Sequence, residues 1–445
     1  MSGRFPRQKE WYRKVFMDIK ALSLYKMKRQ GVFLHYLFSM ERNETDMVTI
    51  DKIFHASVVL KDIIRPTPLA KAYGIAPQCD LYLKPECLQN TGSFKLRGSG
   101  YKISQLSDEE KAKGVIACSA GNHAQGVALA ASKCGISSLI CLPDTAPISK
   151  VEATKAYGAQ VCLVPGVYDD AYNKALELKE AHGYTFVHPF DDEYVIAGQG
   201  TIGLEIMNEM TDVDAVIVPI GGGGLISGVA CAIKSMSPHV KVYGVQAAGA
   251  PSMYNAVKHG QLEGLSSVST IADGIAVKKP GNLTYEMVSK YVDDIALVTE
   301  DEIAAGILAL IEKQKMIAEG AGAVSVAAAM FNKFPLEGKK VVSLISGGNI
   351  DVTSLSRVID RGLMKSGRTT DLLIELVDKP GQLMNVSRII AECGGNVTSV
   401  HHERNGDTES INGCYLRLIL ETRNYDHVQQ IVQALKDEGF KIVEK

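Results

Sequence analysis

The first candidate for chemistry is Lys95, which lies in the glycine- and serine-rich stretch TGSFKLRGSG. Glycines let the backbone bend and bring its N–H groups close to a ligand. A lysine amine can form an imine with a carbonyl compound, and it acts as a base once its surroundings lower its pKa. A lysine kept only for solubility is the competing interpretation, because most lysines are exposed. Lys95 alone therefore leaves both interpretations open.

Four consecutive glycines, Gly221, Gly222, Gly223 and Gly224, separate the apolar run VDAVIVPI from the helical run LISGVACAIKSM. Glycines at such a junction can turn several N–H groups toward one point, and the helix N-terminus adds partial positive charge. The pattern predicts a phosphate-binding turn, although a flexible turn is the simpler alternative. The spacing is not a dinucleotide fingerprint, and residue 225 is leucine where a nucleotide P-loop has lysine. We therefore expect the phosphate of a smaller cofactor.

The stretch SAGNHAQG also lies where a predicted strand passes into a helix. The N–H groups of Ser119, Ala120, Gly121, Asn122 and His123 gather at this helix start, where backbone donors lack helical partners. Such a loop can bind a substrate carboxylate. A plain helix cap with a close helix contact is the alternative.

A third strand-to-glycine junction, LISGGN, carries Ser346. A phosphate turn, a carboxylate loop and one lysine together suit pyridoxal 5′-phosphate. Its aldehyde reacts with a lysine amine and its ring accepts electrons from a carbanion. The sequence therefore predicts this cofactor.

The elements that must position these residues alternate between buried strand and helix from about Gly114. This order is typical of parallel sheets covered on both faces, so we expect an α/β body of two units with a ligand cleft between them. After the linker-like MKSGRTT the pattern changes to βαββαβ, a small α+β module. The adjacent His401 and His402 in this module alternate faces of a strand, so we expect one packed and one solvated side chain rather than a metal site.

Composition excludes several classes of protein. The chain has 445 residues and a formal net charge of -2, which gives no reason to expect nucleic acid or an anionic membrane as a partner. No apolar run has the length of a membrane span. Nine cysteines occur without a C-x-x-C pair, so neither a disulfide framework nor a zinc site is expected, and a reducing cytoplasm is the simplest location.

We expect three regions along the chain. Residues 1–46 are basic and are expected to be a disordered extension, or translation from a start upstream of a natural beginning at Met47. Residues 47–365 are expected to form the catalytic body, with a smaller α/β subdomain at about 114–192 inserted in a larger one. Residues 370–445 are expected to form the small α+β module.

The motifs TGSFKLRGS, SAGNHAQG, GGGG and SGGN, in this order, resemble those of fold-type II pyridoxal-phosphate enzymes, the tryptophan synthase β-like fold, and in particular the threonine dehydratase (threonine ammonia-lyase) family. The resemblance covers about 47–365. The remainder, with ELVDKPGQL at its start, resembles an ACT regulatory domain. The family implies conversion of threonine to 2-oxobutanoate and ammonia, and of serine to pyruvate, with either isoleucine supply or threonine breakdown as the role.

The resemblance also implies residue roles. Lys95 matches the Schiff-base lysine that moves the Cα proton, and Phe94 lies beside the cofactor. Asn122 matches the residue that binds the ring hydroxyl, Ser346 the partner of the pyridine nitrogen, and Glu319 an acid near the ring. Gly221 to Gly224 match the phosphate turn, and Ser119 to His123 the carboxylate loop. For the ACT-like module the resemblance implies an amino-acid effector near DKPGQL and a dimer or tetramer.

Two alternatives remain. The first is a serine racemase or another hydroxy-amino-acid lyase of the same fold. Racemases of this family carry a hydroxyl residue directly before the Gly-Asn pair, where this chain has Ala120, and this favours the dehydratase. The second is a non-catalytic ligand sensor, against which the presence of Lys95 argues, because a sensor needs no base. Asp273, in TIADG, could contribute to a divalent-cation site, but the sequence offers no clear ligand set.

Overall fold

The computed structural model describes residues 48–404 and 413–443. The expected extension 1–46 and the NGDTES turn at 405–410 lie outside the described residues. The strands in chain order are β1 (Ala70–Lys71), β2 (Asp80–Pro85), β3 (Val115–Cys118), β4 (Ser138–Pro143), β5 (Gln160–Val164), β6 (Thr185–Phe186), β7 (Ala215–Pro219), β8 (Lys241–Ala247), β9 (Asp294–Val298), β10 (Lys340–Ile345), β11 (Thr369–Val377), β12 (Asn396–Glu403), β13 (Gly413–Glu421) and β14 (Lys441–Val443).

The α-helices of the described residues are numbered in the same way. They are α1 (Ile50–Val59), α2 (Lys95–Ser104), α3 (Asp108–Lys113), α4 (Asn122–Lys133), α5 (Ile148–Ala156), α6 (Tyr168–His182), α7 (Glu193–Glu209), α8 (Gly224–Met236), α9 (Ser252–His259), α10 (Asn282–Tyr291), α11 (Glu300–Ala309), α12 (Gly320–Met330), α13 (Val352–Lys365), α14 (Gln382–Glu392) and α15 (Tyr425–Asp437). Among the described residues, no helix combines the length and the apolar character that a bilayer crossing requires.

Three sheets organise these elements. The larger sheet of the α/β body has the order β1-β2-β10-β7-β8-β9, and its strands run parallel except for the edge strand β1. The smaller sheet, β5-β4-β3-β6, is entirely parallel. Strands β3 and β7 are buried along their whole length, as expected for parallel strands that helices cover on both faces. The expected two-unit α/β body is confirmed.

The C-terminal module has the expected βαββαβ order. Its antiparallel sheet, β12-β13-β11-β14, packs one face against α14 and α15 through alternating apolar residues such as Leu416, Leu418 and Leu420. Helix α13 ends at Lys365 and β11 begins at Thr369, so the connection from the body is short. The expectation for the histidine pair is wrong in one respect, because both His401 and His402 are exposed. They do point to opposite faces of β12, and this end of the edge strand is exposed along its last four residues, as the burial pattern of the strand shows.

Helix α2, which begins with Lys95, packs closely against α7 and α4 at positions where those helices carry glycine. A Cβ at Gly198 of α7 would lie 2.5 Å from the Arg97 carbonyl oxygen and 2.7 Å from the Cα of Gly98. A Cβ at Gly126 of α4 would lie 3.0 Å from the carbonyl carbon of Lys95. Only glycine allows two helices to approach α2 this closely. The contacts fix the position of the α2 backbone and therefore of the Lys95 Cα.

A buried charge network holds the same helix. The Arg97 guanidinium donates to both carboxylate oxygens of Glu86 at 2.8 Å, and its Nη1 and Nη2 lie 2.5 and 2.9 Å from the Glu205 carboxylate. Lys84 Nζ completes the network, 2.7 Å from Glu205 and 2.6 Å from the Thr67 carbonyl oxygen. Lys84, Glu86 and Arg97 are fully buried. Removing one partner from such a network leaves a charge uncompensated in the interior, which costs about 3–5 kcal/mol.

The close helix contact predicts the effect of Gly198→Ala. The added methyl group overlaps the backbone of α2, and overpacking of this kind costs about 1–3 kcal/mol. We expect a lower thermal unfolding midpoint by differential scanning calorimetry, together with weaker cofactor retention because Lys95 is displaced. Gly264→Ala is the matched control, since a Cβ there meets nothing nearer than 3.8 Å. An unchanged midpoint for Gly198→Ala would contradict the proposed contact.

Candidate active site

The amine of Lys95 lies in a desolvated position at the start of α2. Its Nζ donates to the carbonyl oxygen of Pro189 at 2.7 Å and lies 5.2 Å from the centroid of the Phe94 ring. Burial lowers the pKa of Lys95 to about 8, and the nearby Glu319 carboxylate opposes part of this shift. A larger share of the amine is therefore neutral near pH 7 than for an ordinary lysine, as a nucleophile or base requires.

The glycine turn occupies the junction between β7 and α8, as predicted. Gly223 adopts φ +98°, a conformation that favours glycine. The Thr284 hydroxyl donates to the carbonyl oxygen of Gly222 at 2.7 Å and fixes the turn. The Phe190 ring packs directly on it, because a Cβ at Gly222 would lie 2.4 Å from this ring.

The dipeptide Pro189–Phe190 links the amine to the turn. Pro189 accepts the hydrogen bond from Lys95, and the next residue, Phe190, contacts Gly222 and Gly224. The distance between Lys95 and the glycine turn is thus spanned by two consecutive residues. The structure brings these two predicted parts of the site together.

A chain of amide hydrogen bonds runs through the same region. Asn349 Nδ2 donates to the Thr91 carbonyl oxygen at 2.8 Å and to Asn122 Oδ1 at 2.7 Å, and Asn122 Nδ2 donates to Glu319 Oε1 at 2.7 Å. With both ends engaged, the Asn122 amide has one favoured orientation. Burial, followed by the Asp273 charge, raises the pKa of Glu319 to about 7, while the bond from Asn122 opposes the shift.

Ser346 lies at the end of β10, beside the segment that leads to Lys95. Its side chain is buried and its Oγ donates to the Ala321 carbonyl oxygen at 3.1 Å. Its own carbonyl oxygen accepts from the Phe94 amide at 3.1 Å, and Ser93 pairs with Gly347 in an antiparallel bridge. The predicted residues Phe94, Lys95 and Ser346 are therefore neighbours.

The loop before α4 has a more restricted set of donors than expected. The Ser119 amide donates to the Cys141 carbonyl oxygen at 3.3 Å, and the Gly121 amide donates to Ser119 Oγ at 3.1 Å. Helix α4 begins at Asn122 without a side-chain cap. His123 Nε2 donates to the Val187 carbonyl oxygen at 2.8 Å, and burial, assisted by Lys95, lowers the pKa of His123 to about 3. Its ring is therefore neutral, and it adds no charge for a carboxylate.

Sequence reasoning missed several residues of this region. Pro189, Phe190 and Asn349 contact the predicted residues, yet only Asn349 lies inside a motif, SGGN, that was identified. Ser93, in TGSFK, is fully buried, and its hydroxyl has no hydrogen-bond partner within the described part of the chain. Asp273, considered as a cation ligand, instead forms an ion pair with Lys150 at 2.9 Å.

These features fit pyridoxal phosphate. The Ser93 hydroxyl, two residues from Lys95, is an unsatisfied buried group of the kind that a bound ligand completes. The glycine turn offers backbone donors at the start of α8 for an anionic group, and Lys95 offers an amine with a lowered pKa.

Comparison with known proteins agrees with this geometry. Residues 60–347 match the family model described as pyridoxal-phosphate dependent enzyme, and residues 365–438 match the ACT domain. An L-threonine ammonia-lyase of Thermotoga maritima is 50% identical over 398 residues, which cover 89% of this chain and 99% of that protein. The chain therefore belongs to the pyridoxal-phosphate-dependent enzyme family and carries an ACT domain in its C-terminal part.

Solved structures give the same result. The processed form of threonine deaminase isoform 2 from Solanum lycopersicum is 39% identical with a TM-score of 0.66, covering 70% of this chain and 88% of that one. Maize serine racemase is 35% identical with a TM-score of 0.67, covering 72% of this chain and 99% of that one. The expected fold-type II body and its cofactor are confirmed.

The raised pKa of Glu319 predicts a pH-dependent effect of Glu319→Gln. The folded protein binds the Glu319 proton more tightly than the unfolded chain, so wild-type stability falls as pH rises from about 4.5 through about 7. Glutamine cannot ionise. We therefore expect the difference in thermal midpoint, variant minus wild type, to increase from pH about 5 to about 8 in calorimetry of the cofactor-loaded protein.

The matched control is Glu110→Gln, which removes an exposed carboxylate whose pKa is lowered by its helix-capping bonds to Ser107. Its difference from wild type should stay nearly constant from pH about 5 to about 8, because a carboxyl whose folded-state pKa is lowered is ionised in both the folded and the unfolded chain over that range. A pH-independent difference for Glu319→Gln would show that Glu319 ionises normally in the folded protein.

Proposed function

We propose that this chain is an L-threonine ammonia-lyase that converts L-threonine to 2-oxobutanoate and ammonia, and L-serine to pyruvate and ammonia. The observation that carries the proposal is the convergence of the Lys95 amine and the glycine turn on the Pro189–Phe190 dipeptide. The names of the Thermotoga and Solanum relatives support the choice of threonine as substrate.

The cofactor-binding roles are proposed residue by residue. Gly221, Gly222, Gly223 and Gly224 hold the phosphate through their backbone and the start of α8. Lys95 holds the aldehyde carbon, and Phe94 lies beside the ring. Asn122 binds the ring hydroxyl in the orientation that Asn349 and Glu319 impose on its amide. Ser346 is the partner of the pyridine nitrogen.

Substrate binding is proposed at the loop Ser119, Ala120, Gly121, Asn122 and His123. Because the amides of Ser119 and Gly121 have partners within the protein, the carboxylate depends chiefly on the amides of the first turn of α4. These amides carry the positive end of the helix dipole, which favours a carboxylate.

The bound cofactor supplies an electron sink for the negative charge that develops at the substrate Cα. Lys95, with a pKa of about 8, is matched to accept the Cα proton near neutral pH. Nζ accepts the Cα proton, the Cβ–O bond breaks, and the departing hydroxide takes up a proton, so that one water is lost across Cα–Cβ. Water later adds back as ammonia leaves, which balances threonine against 2-oxobutanoate and ammonia.

Further proposals concern the rest of the chain. We divide it into an extension at 1–46, the catalytic body at 47–365 with a smaller subdomain at about 114–192, and the ACT domain at 370–445. An amino-acid effector binds near DKPGQL, and ACT domains pair to form a dimer or tetramer.

A cytoplasmic location is supported by the nine cysteines, all of which lie in described residues and are free thiols.

Lys95→Ala is the direct test of the proposal. It removes both the cofactor-linked amine and the base, so 2-oxo acid formation from threonine falls by ~10³-fold or more. The visible absorbance of the protein-linked cofactor disappears as well. Lys113→Ala, at an exposed lysine of α3, is the control and retains both properties. A Lys95→Ala protein that keeps its colour and turnover would disprove the assignment.

Ala120→Ser tests the racemase alternative. The side chain at residue 120 precedes the Gly-Asn pair, and serine would supply a hydroxyl that can return a proton to Cα. A well-positioned general acid accelerates a reaction by ~10²–10⁴-fold. Because the new hydroxyl supplies only part of this effect, we expect the ratio of serine racemisation to pyruvate formation to rise by at least about tenfold. Chiral chromatography measures D-serine, with Ala120→Gly as control. Substantial D-serine from wild type would favour the racemase instead.

A further inference from the structure

Three side chains that can ligate a metal meet at one end of the ACT-domain sheet. Within the described ranges, Asp378, His402 and Cys414 each offer one ligand atom, and these atoms all lie within 4.8 Å of one another. The cluster is part of the ACT domain and shares no residue with the proposed active site.

Strand register explains why they meet. The order β12-β13-β11 makes neighbours of the strands that hold His402 and Cys414 and of β11, which Asp378 directly follows. Cys414 pairs with Leu376 of β11, and His402 of β12 pairs with Leu416, two residues after Cys414. Leu376, Cys414 and Leu416 are buried on the helix-covered face. Because strand side chains alternate, His402 and Asp378, two residues beyond Leu376, are placed on this same face.

The sequence neighbour His401 has a different environment. It lies on the opposite face, where its Nε2 is 3.1 Å from the Ser399 hydroxyl. The alternation that argued against a metal site for the His401–His402 pair therefore leaves His402 free to combine with residues from other strands. Sequence spacing could not show this, since His402 and Cys414 belong to different strands and Asp378 directly follows a third.

The separation of two ligand atoms suits a small cation. His402 Nε2 lies 3.8 Å from Asp378 Oδ1, too far for a hydrogen bond. Two nitrogen or oxygen ligands on tetrahedral zinc, each at about 2.0–2.2 Å, lie roughly 3.4 Å apart. Arg404 binds the other carboxylate oxygen, with Nε 2.9 Å from Oδ2, and its Nη2 lies 3.5 Å from Oδ1. A cation therefore has to compete with Arg404 for Asp378.

The sulfur ligand determines the class of ion. Cys414 is only 1% exposed. A thiol ligates a metal as the thiolate, so binding of an ion at this sulfur releases its proton. A thiolate, an imidazole and a carboxylate suit zinc-class ions, whereas calcium and magnesium prefer oxygen ligands alone.

We propose that Asp378, His402 and Cys414 form a binding site for a divalent zinc-class transition-metal ion in the ACT domain. The three protein ligands leave a fourth tetrahedral position open toward solvent, which a water molecule or a small ligand can fill. One of the three ligands, Asp378, is the first residue of the DKPGQL stretch.

The test uses the full-length, cofactor-loaded protein without a histidine tag, after removal of bound metal with a chelator. Co²⁺ is titrated first, because a thiolate ligand produces a charge-transfer band in the near ultraviolet, and Zn²⁺ is then titrated by calorimetry. The variants are Cys414→Ser and His402→Asn. The matched controls are Cys393→Ser, at a half-buried cysteine of the same domain, and His401→Asn. Circular dichroism and threonine turnover verify that every variant is folded.

We expect one ion per chain in wild type and both controls, with the charge-transfer band present. His402→Asn should weaken binding by ~10–100-fold or more, and Cys414→Ser should abolish the band. Wild type without a stoichiometric site, or binding that is equal in all variants, would overturn the proposal. A folded Cys414→Ser protein that retains the band would assign the thiolate to another cysteine and would overturn it equally.

Discussion

The removal of the Lys95 amine from water is the constraint on which the rest of the site depends. An amine in this setting favours its neutral form, which is why the pKa of Lys95 falls to about 8. The side chain would escape to solvent if α2 could shift. Arg97, two residues further on, prevents this through buried ion pairs to Glu86 and Glu205, and the Gly98–Gly198 contact leaves no space for rotation. The polar network therefore helps to position the lysine that we propose as the catalytic residue.

The segment 189–191, which binds the Lys95 amine, also connects the units of the two parallel sheets. After β6 of the smaller sheet, the chain runs through Pro189 and Phe190, and Phe190 contacts the glycine turn of the larger sheet. Asp191 then accepts from the Asn282 and Thr284 amides at the start of α10, at 3.1 and 3.0 Å. One short segment thus receives the lysine, covers the turn and anchors the opposite unit. Its position at the carboxyl ends of parallel strands is where α/β proteins generally place ligands.

The sequence predicted what depends on local pattern. Strand-to-helix alternation, the four glycines and the βαββαβ order are readable because each follows from composition and spacing over a few residues. The roles of Asn349 and Phe190 were not predictable in this way, since each depends on a partner far away in the chain, such as Asn122. The prediction that one residue of the His401–His402 pair is packed was wrong for the same reason. Strand alternation describes a single strand, whereas the neighbours of His402, Asp378 and Cys414, come from other parts of the sheet.

The two titrating groups of the site belong to one electrostatic system. Burial pushes the pKa of Lys95 down to about 8 and that of Glu319 up to about 7, so the two values approach each other. Each charged form favours the other, because opposite charges in a poorly hydrated space attract strongly. Deprotonated Glu319 therefore keeps the Lys95 pKa from falling further, and a neutral Glu319 would let it fall. Lys150 and Asp273, paired with each other at 2.9 Å, act on Glu319 in opposite directions. The number of protons that the site holds near neutral pH thus depends on Glu319 and Lys95 together.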